Sequence, residues 1–238
     1  MSDYDECSDP ALIAAKDDVT TDFIAEFFLE DLSVCDDLIN FFNASDYATR
    51  YKTAGECGHG LDLKVKKSVD LTLDLTKAFP ENQRYMEELQ KCCTKYIEKF
   101  PACNTNSPWA IIEPYNIQYY EPGDGYYAYH CERGGTSSLI PFRHLVWMTY
   151  LNDVPDGGTE FYHQKKYVPA ERGKTLIWPV DWTYTHRGVP SQTKDKYIIT
   201  GWYTLYRRGY EYKFMQDDLS RPATLVRAPE SNILILPR

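Results

Sequence analysis

The 238-residue chain contains no run near the ~18 consecutive apolar residues that a helical membrane span requires, so no membrane-spanning helix is expected. A basic-then-apolar leader is also missing. Met1 to Pro10 is acidic, which predicts a cytoplasmic protein, in a bacterial or viral setting, rather than a secreted one. No CxxC pair occurs among the seven cysteines (Cys7, Cys35, Cys57, Cys92, Cys93, Cys103, Cys131), and their number is odd, so free thiols are expected rather than a disulfide framework. Repeats and low-complexity tracts are absent. Excess positive charge is absent too. The formal net charge is −9, and residues 1–40 hold twelve Asp or Glu against Lys16 alone, a local net of −11 that leaves +2 on the other 198 residues. Nothing in that distribution offers a basic face to nucleic acid.

What the chain does contain is ordinary for a globular protein in bulk, at 43% hydrophobic and 26% charged residues, and unusual in its 20 tyrosines. The aromatics crowd between Trp109 and Tyr212. Four regions follow: an acidic segment over 1–20, a helix-and-strand support over 21–108, a β-rich core over 109–208 and a tail over 209–238. In the support, Phe23 to Leu29 is an apolar run, and Ser33 with Asp36 reads as a capping box opening a helix through Phe42. Leu61 to Leu73 alternates as a half-buried strand pair would. Tyr85, Leu89, Cys92 and Tyr96 form one stripe of a helix over Pro80 to Phe100, stopped by Pro101. No chemistry is expected from this half, and His59, among glycines, reads as a loop residue. In the core, short strand-like runs (116–120, 126–130, 145–151, 175–178, 197–205) alternate with Gly-, Pro- and Asp-rich turns, including one over 152–158, which predicts an all-β sandwich or barrel. The tail closes on Ile233 to Leu236, expected to pack on the body.

Three core residues carry a chemical pattern. On a strand, residues i and i+2 share a face, so His130 and Glu132 project together while Cys131 faces away. His186, from a distant strand, completes two imidazoles and one carboxylate. That set leaves coordination positions open and suits non-haem Fe(II), with zinc as the chemical alternative. Lys196 follows His186 by ten residues in an apolar, aromatic segment where an unpaired ammonium is costly, so a partner is expected, and a dicarboxylate on the metal fits.

These pieces stand in a recognisable order: Tyr119-Tyr120-Glu121-Pro122-Gly123, Tyr127, His130-Cys131-Glu132, Arg143 to Asp153, Gly157-Gly158-Thr159-Glu160-Phe161, Pro169 to Trp178, His186, Lys196 and Trp202. The sequence resembles the prolyl 4-hydroxylase-like branch of the Fe(II)- and 2-oxoglutarate-dependent dioxygenases, most clearly over 115–205 and more weakly from Phe27. The resemblance implies a mainly β fold with flanking α: a double-stranded β-helix, or jelly roll, with N-terminal helices packed on it. It implies His130, Glu132 and His186 as iron ligands, Lys196 on the distal carboxylate of 2-oxoglutarate, Tyr120 and Thr159 as its hydrogen-bonding partners and Trp202 beside it. Glu132 departs from the Asp common in the family, and its extra methylene lengthens the carboxylate's reach. The implied cofactors are Fe(II), 2-oxoglutarate and O2, with ascorbate as reductant. The implied reaction hydroxylates a prolyl residue of a peptide or protein and converts 2-oxoglutarate to succinate and CO2. Arg143, Arg187 and Tyr127 are the candidate substrate contacts. His144 is the substitute ligand and His163 a spare. The other readings are a hydroxylase of another protein side chain or a free amino acid, and a metal-free jelly-roll module binding a peptide or glycan.

Overall fold

The computed structural model describes residues 22–73, 79–105, 107–135 and 139–206, with the backbone of 211–212 and 225–226. The acidic segment 1–20, Cys7 and the Ile233 to Leu236 end of the tail lie outside the described residues.

The chain opens with β1 (Ala25–Phe28), α1 (Ser33–Ala44) and α2 (Asp46–Tyr51), followed by β2 (Lys52–Ala54), β3 (Val69–Leu73) and α3 (Pro80–Lys99). The β region follows: β4 (Trp109–Ala110), β5 (Tyr115–Tyr120), β6 (Arg143–Tyr150), β7 (Val154–Phe161), β8 (Lys166–Ala170), β9 (Lys174–Pro179), β10 (His186–Val189) and β11 (Lys196–Leu205). The major sheet runs β1-β9-β6-β11-β5-β3-β2, with β4 also on β11, and the minor sheet runs β10-β7-β8; all pairings are antiparallel. The two sheets form the expected jelly roll, with α1, α2 and α3 against the major sheet. No described helix is long and apolar enough to cross a membrane.

The expected support elements hold in kind and shift in detail. The α1 helix begins at Ser33, but the capping box does not form. Asp31 instead accepts from the Ser33 backbone N–H at 2.9 Å and from its hydroxyl at 2.6 Å, an Asx-type cap one turn-residue earlier than the sequence pattern suggests. Of the strand pair expected over 61–73 only 69–73 extends, as β3, whose partners β2 and β5 lie outside that range, because residues 63–65 turn. The α3 stripe is as expected: Tyr85, Leu89, Cys92 and Tyr96 are all buried. All six described cysteines are free.

The major sheet is covered on both faces, so its strands read as nearly continuous apolar runs. Its side chains still alternate strictly. Along β6, Leu145 and Trp147 join the core under the helices, with Leu38 and Phe42 of α1 and Tyr85 and Leu89 of α3, whereas Val146, Met148 and Tyr150 enter a second core between the sheets. Each large side chain so buried contributes on the order of 1.5–3 kcal/mol. Buried hydroxyls fasten α3 to the sheet: Tyr85 Oη meets Thr149 Oγ1 at 2.9 Å, and Tyr115 Oη donates to Asn82 at 2.9 Å. Gly201 pairs with Trp147 across β11 and β6, and a Cβ there would sit 2.5 Å from the Trp147 ring. Only glycine lets that indole lie flat on the sheet.

The turn expected over 152–158 runs into β7. Gly158 faces the Val168 carbonyl so closely that a Cβ would lie 2.4 Å from it, and the register shifts between Val154 and Gly158. The Pro-Asp-Gly-Gly composition there marks a bulge within a strand rather than a loop. The expected strand over 126–130 is present as pairing alone: His130 and His186 exchange both backbone hydrogen bonds at 2.9 Å, and Gly188 N–H donates to the Tyr126 carbonyl at 3.1 Å. This segment extends the minor sheet past β10 and sets two histidines side by side.

Candidate active site

His130 and His186, paired across that edge, point their imidazoles into the space between the sheets with ring centroids 4.4 Å apart. Each ring is fixed by its own backbone. His130 Nδ1 lies 3.1 Å from the Ala128 carbonyl and His186 Nδ1 lies 2.8 Å from the Tyr184 carbonyl. A carbonyl only accepts, so both Nδ1 atoms carry the proton and both Nε2 lone pairs face the cavity, the tautomer a metal ligand needs. Glu132 closes the group: its Oε1 is 3.5 Å from each Nε2. Among the described residues this is the one cluster of three or more His, Cys, Asp or Glu whose ligand atoms converge, all within 4.8 Å of one another. Burial, reinforced by the facing His186, lowers the pKa of His130. Burial alone would raise Glu132, but the two histidines outweigh it and hold the carboxyl well below the ordinary range. Neutral imidazole beside carboxylate is the ionisation state that binds a divalent cation.

The cavity around this group measures about 740 Å³. Lys196, the first residue of β11, reaches into it, and only 3% of the residue is exposed. Its Nζ donates to the Val189 carbonyl at 2.7 Å and stands 5.1 Å from the centroid of the Tyr120 ring. Burial pulls its pKa down to about 8, against a weak upward pull from Asp156. Among the described residues no carboxylate pairs with it. Tyr120 and Thr159 line the same cavity: Tyr120 Oη donates to Gln118 Oε1 at 2.7 Å, and Thr159 Oγ1 meets Tyr150 Oη at 2.6 Å. Trp202 lines it as well, and its Nε1 donates to Glu132 Oε2 at 2.9 Å, so it touches the carboxylate ligand directly.

The substrate candidates separate. Arg143 lines the cavity, but its guanidinium is engaged by Glu113, with Nε to Oε2 at 2.9 Å and Nη2 to Oε2 at 2.8 Å. Arg187 is half-exposed on the outer side of the minor sheet and pairs with Glu160 at 2.8 Å. Tyr127 donates to the Gly123 carbonyl at 3.1 Å and is not among the cavity residues. Tyr126 is the tyrosine at the ligands, stacked on His130 with centroids 3.6 Å apart. His144 bonds the Cys103 carbonyl at 2.8 Å and His163 packs edge-on against Trp182; neither joins the ligand cluster.

Two contributions were not legible in the sequence. The support half was expected to carry no chemistry, yet Glu56, Cys57, His59 and Lys66 line the cavity. Lys66 is buried and pairs with Asp70 at 2.6 Å, and Asp70 accepts from Gln118 at 3.1 Å, which in turn holds Tyr120. Pairing of β3 with β5 brings these residues in, and that long-range register leaves no local signal. Glu113 was missed for the same reason: an isolated acid after Ile111 and Ile112 carries no pattern.

The geometry can be set beside known proteins. Residues 115–204 match the model of the 2OG-Fe(II) oxygenase superfamily. No curated protein sequence matches the chain. Among solved structures, the fold is similar to the viral collagen prolyl hydroxylase of Paramecium bursaria Chlorella virus-1 in its 2OG complex, at 17% identity and TM-score 0.54, covering 78% of this chain and 98% of that one. A Trichoplax adhaerens prolyl hydroxylase, in complex with a hypoxia inducible factor oxygen degradation domain peptide fragment, is similar at 18% identity and TM-score 0.60, with 77% and 84% covered. The epimerase SnoN from nogalamycin biosynthesis, described as non-heme and alpha-ketoglutarate dependent, is similar at 11% identity and TM-score 0.59, with 91% and 94% covered. Residues 115–204 thus match that family model, and the fold is one shared by prolyl hydroxylases and by SnoN.

Proposed function

We propose that this protein, with a 2OG-Fe(II) oxygenase barrel as its centre, hydroxylates a prolyl residue in a peptide or protein while converting 2-oxoglutarate to succinate and CO2. The observation that carries the cosubstrate assignment is Lys196. It is a buried ammonium with no carboxylate partner among the described residues, in the same cavity as two imidazoles and a carboxylate. A cation left alone there is unfavourable, and a dicarboxylate satisfies it.

The donor set fits Fe(II): His130 Nε2, His186 Nε2 and Glu132 Oε1 would hold it on one face, leaving room for a chelating 2-oxo acid and O2. Bound iron and 2-oxoglutarate supply the oxidising chemistry, with ascorbate as the reductant that keeps the metal ferrous. The chain's own residues bind and orient. Lys196 anchors the distal carboxylate, and Tyr120 and Thr159, whose hydroxyls bond Gln118 and Tyr150, line the cavity beside it. Tyr126 stacks flat on His130 and limits its rotation. Trp202 holds the ligand carboxylate. The apolar residues Val146, Met148, Trp178 and Ile198 line the cavity and restrict water. Arg143, Arg187 and Tyr127 remain the proposed substrate contacts, of which Arg143 alone lines the cavity.

Peptidyl proline is favoured because prolyl hydroxylases, one of them holding a peptide, share this architecture. SnoN shares it too, so a different C–H substrate, including another side chain or a free amino acid, is the second reading. The metal-free module reading leaves the buried Lys196 unexplained. Incubation with Fe(II), 2-oxoglutarate, ascorbate and a panel of proline-containing peptides tests the proposal. A peptide gaining one oxygen atom in step with succinate supports it. Succinate without peptide oxidation across the panel moves the substrate to the second reading, and no succinate at all overturns the dioxygenase assignment.

A further inference from the structure

We propose that Glu113 is a positioning residue for the metal carboxylate, acting through Arg143 and Trp202 to turn Glu132 so that Oε1 alone faces the metal position. The inference rests on the reading of His130, Glu132 and His186 as metal ligands. A Glu ligand has one more torsion than an Asp, so it needs an outside hold to present a single oxygen. That hold is visible at Oε2, which accepts from Trp202 Nε1 at 2.9 Å and lies 3.7 Å from Arg143 Nη1. Oε1 is left facing both histidines, 3.5 Å from each.

Arg143 is the pivot. Its guanidinium carbon lies 3.4 Å from the centroid of the Trp202 ring, bracing the indole that donates to Glu132. It stands between two carboxylates and favours one of them: Glu113 takes it through two donors at 2.8 and 2.9 Å, against 3.7 Å to Glu132. Glu113 is itself fixed by Thr204 Oγ1, which donates to its Oε1 at 2.6 Å. Glu113, Arg143 and Thr204 are all buried, so water does not screen the competition. With Glu113 neutralised, the guanidinium has one carboxylate left to pair with, and that carboxylate is the metal ligand. Glu113 therefore keeps Arg143 from competing with the metal for Glu132.

The test reads metal binding alone, with Mn(II) titrated into the metal-free protein and free Mn(II) followed by electron paramagnetic resonance. Glu113→Gln is expected to weaken Mn(II) binding by about 10- to 100-fold, as loss of a group that orients a ligand does. The double variant Glu113→Gln/Arg143→Met is expected to bind Mn(II) more tightly than Glu113→Gln, because the freed cation is gone while the methionine side chain still packs on the Trp202 ring. A purely structural role for the pair predicts the opposite order. Should Glu113→Gln fail to fold, Thr204→Val removes one hydrogen bond to Glu113 and is expected to weaken Mn(II) binding by about fivefold. A folded Glu113→Gln that binds within about twofold of the parent, a double variant weaker than the single, or an unchanged Thr204→Val overturns the proposal while leaving the ligand set standing. Mn(II) binding that survives His130→Ala unchanged overturns the ligand set and this inference together.

Discussion

On β6 and β11 the side chains facing the helices are Leu145, Trp147, Ile199 and Tyr203, while the cavity side of the same strands carries Met148, Tyr150, Lys196, Ile198 and Trp202. One backbone, with a two-residue period, holds a closed hydrophobic core on one face and a reactive site on the other. The helix-facing side chains fill space and find partners inside the chain. On the cavity face, among the described residues, an ammonium has no carboxylate partner and three ligand atoms converge on one another. Stability and chemistry are thus separable by register, and substitutions on the two faces should have separate consequences.

The largest effect belongs to the cavity face. His130→Ala and His186→Ala should each abolish Fe(II)-dependent succinate formation while the circular dichroism spectrum and melting temperature stay near those of the parent, since neither ring is part of the helix-side core. Turnover near the parental level in either variant would break the ligand assignment. On the other face, Ile199→Ala should cost roughly 2–5 kcal/mol in denaturant unfolding, as deletions of well-packed core side chains do. Its affinity for 2-oxoglutarate should be retained wherever the protein is folded. A large loss of affinity without loss of stability would show that the two faces are coupled after all. Glu132 sharpens the contrast within the site: Glu132→Asp should retain measurable turnover, because a carboxylate still faces the metal, and Glu132→Ala should have none. Equal activity in the two variants would remove Glu132 from the metal.

The smallest effect is a pH dependence. Lys196 has its pKa pulled down to about 8 by burial in the folded chain and carries the ordinary value when unfolded. Between those values the unfolded state binds more protons, so this residue makes the cosubstrate-free protein more stable as pH rises from about 8 to 10.5. Below pH 8 the burial cost is felt in full. Stability curves of the parent and Lys196→Met should therefore converge as pH rises through this window, with the variant the more stable at neutral pH by on the order of 1–3 kcal/mol. Curves that stay parallel would mean that the ammonium is not desolvated.

The same comparison explains what could be read in advance. The i, i+2 spacing of His130 and Glu132 and the ten-residue step from His186 to Lys196 are local patterns, and strand geometry converts them directly into shared faces. The α3 stripe was legible for the same reason. The β7 strand was obscured by its Pro-Asp-Gly-Gly bulge, whose composition is that of a turn. The Lys66–Asp70–Gln118–Tyr120 chain and the Glu113–Arg143 pair depend on which strands become neighbours, and residues 30 to nearly 50 positions apart leave no periodic trace. Trp202 was expected beside the cosubstrate by its place in the family order; its hydrogen bond to Glu132 follows from side-chain direction on β11, which sequence alone does not give.

The central claim is that one cavity binds a metal through His130, Glu132 and His186 and a dicarboxylate through Lys196. Anaerobic titration of 2-oxoglutarate into the Fe(II)-loaded protein, followed by the metal-to-ligand absorption of the chelate, tests it most directly. The parent should develop the band with saturable binding. Lys196→Ala should need roughly two to three orders of magnitude more 2-oxoglutarate to reach it, since removing one partner of a buried pair costs about 3–5 kcal/mol and ~1.4 kcal/mol is tenfold. No band in the parent, or the same affinity in parent and variant, would contradict the account.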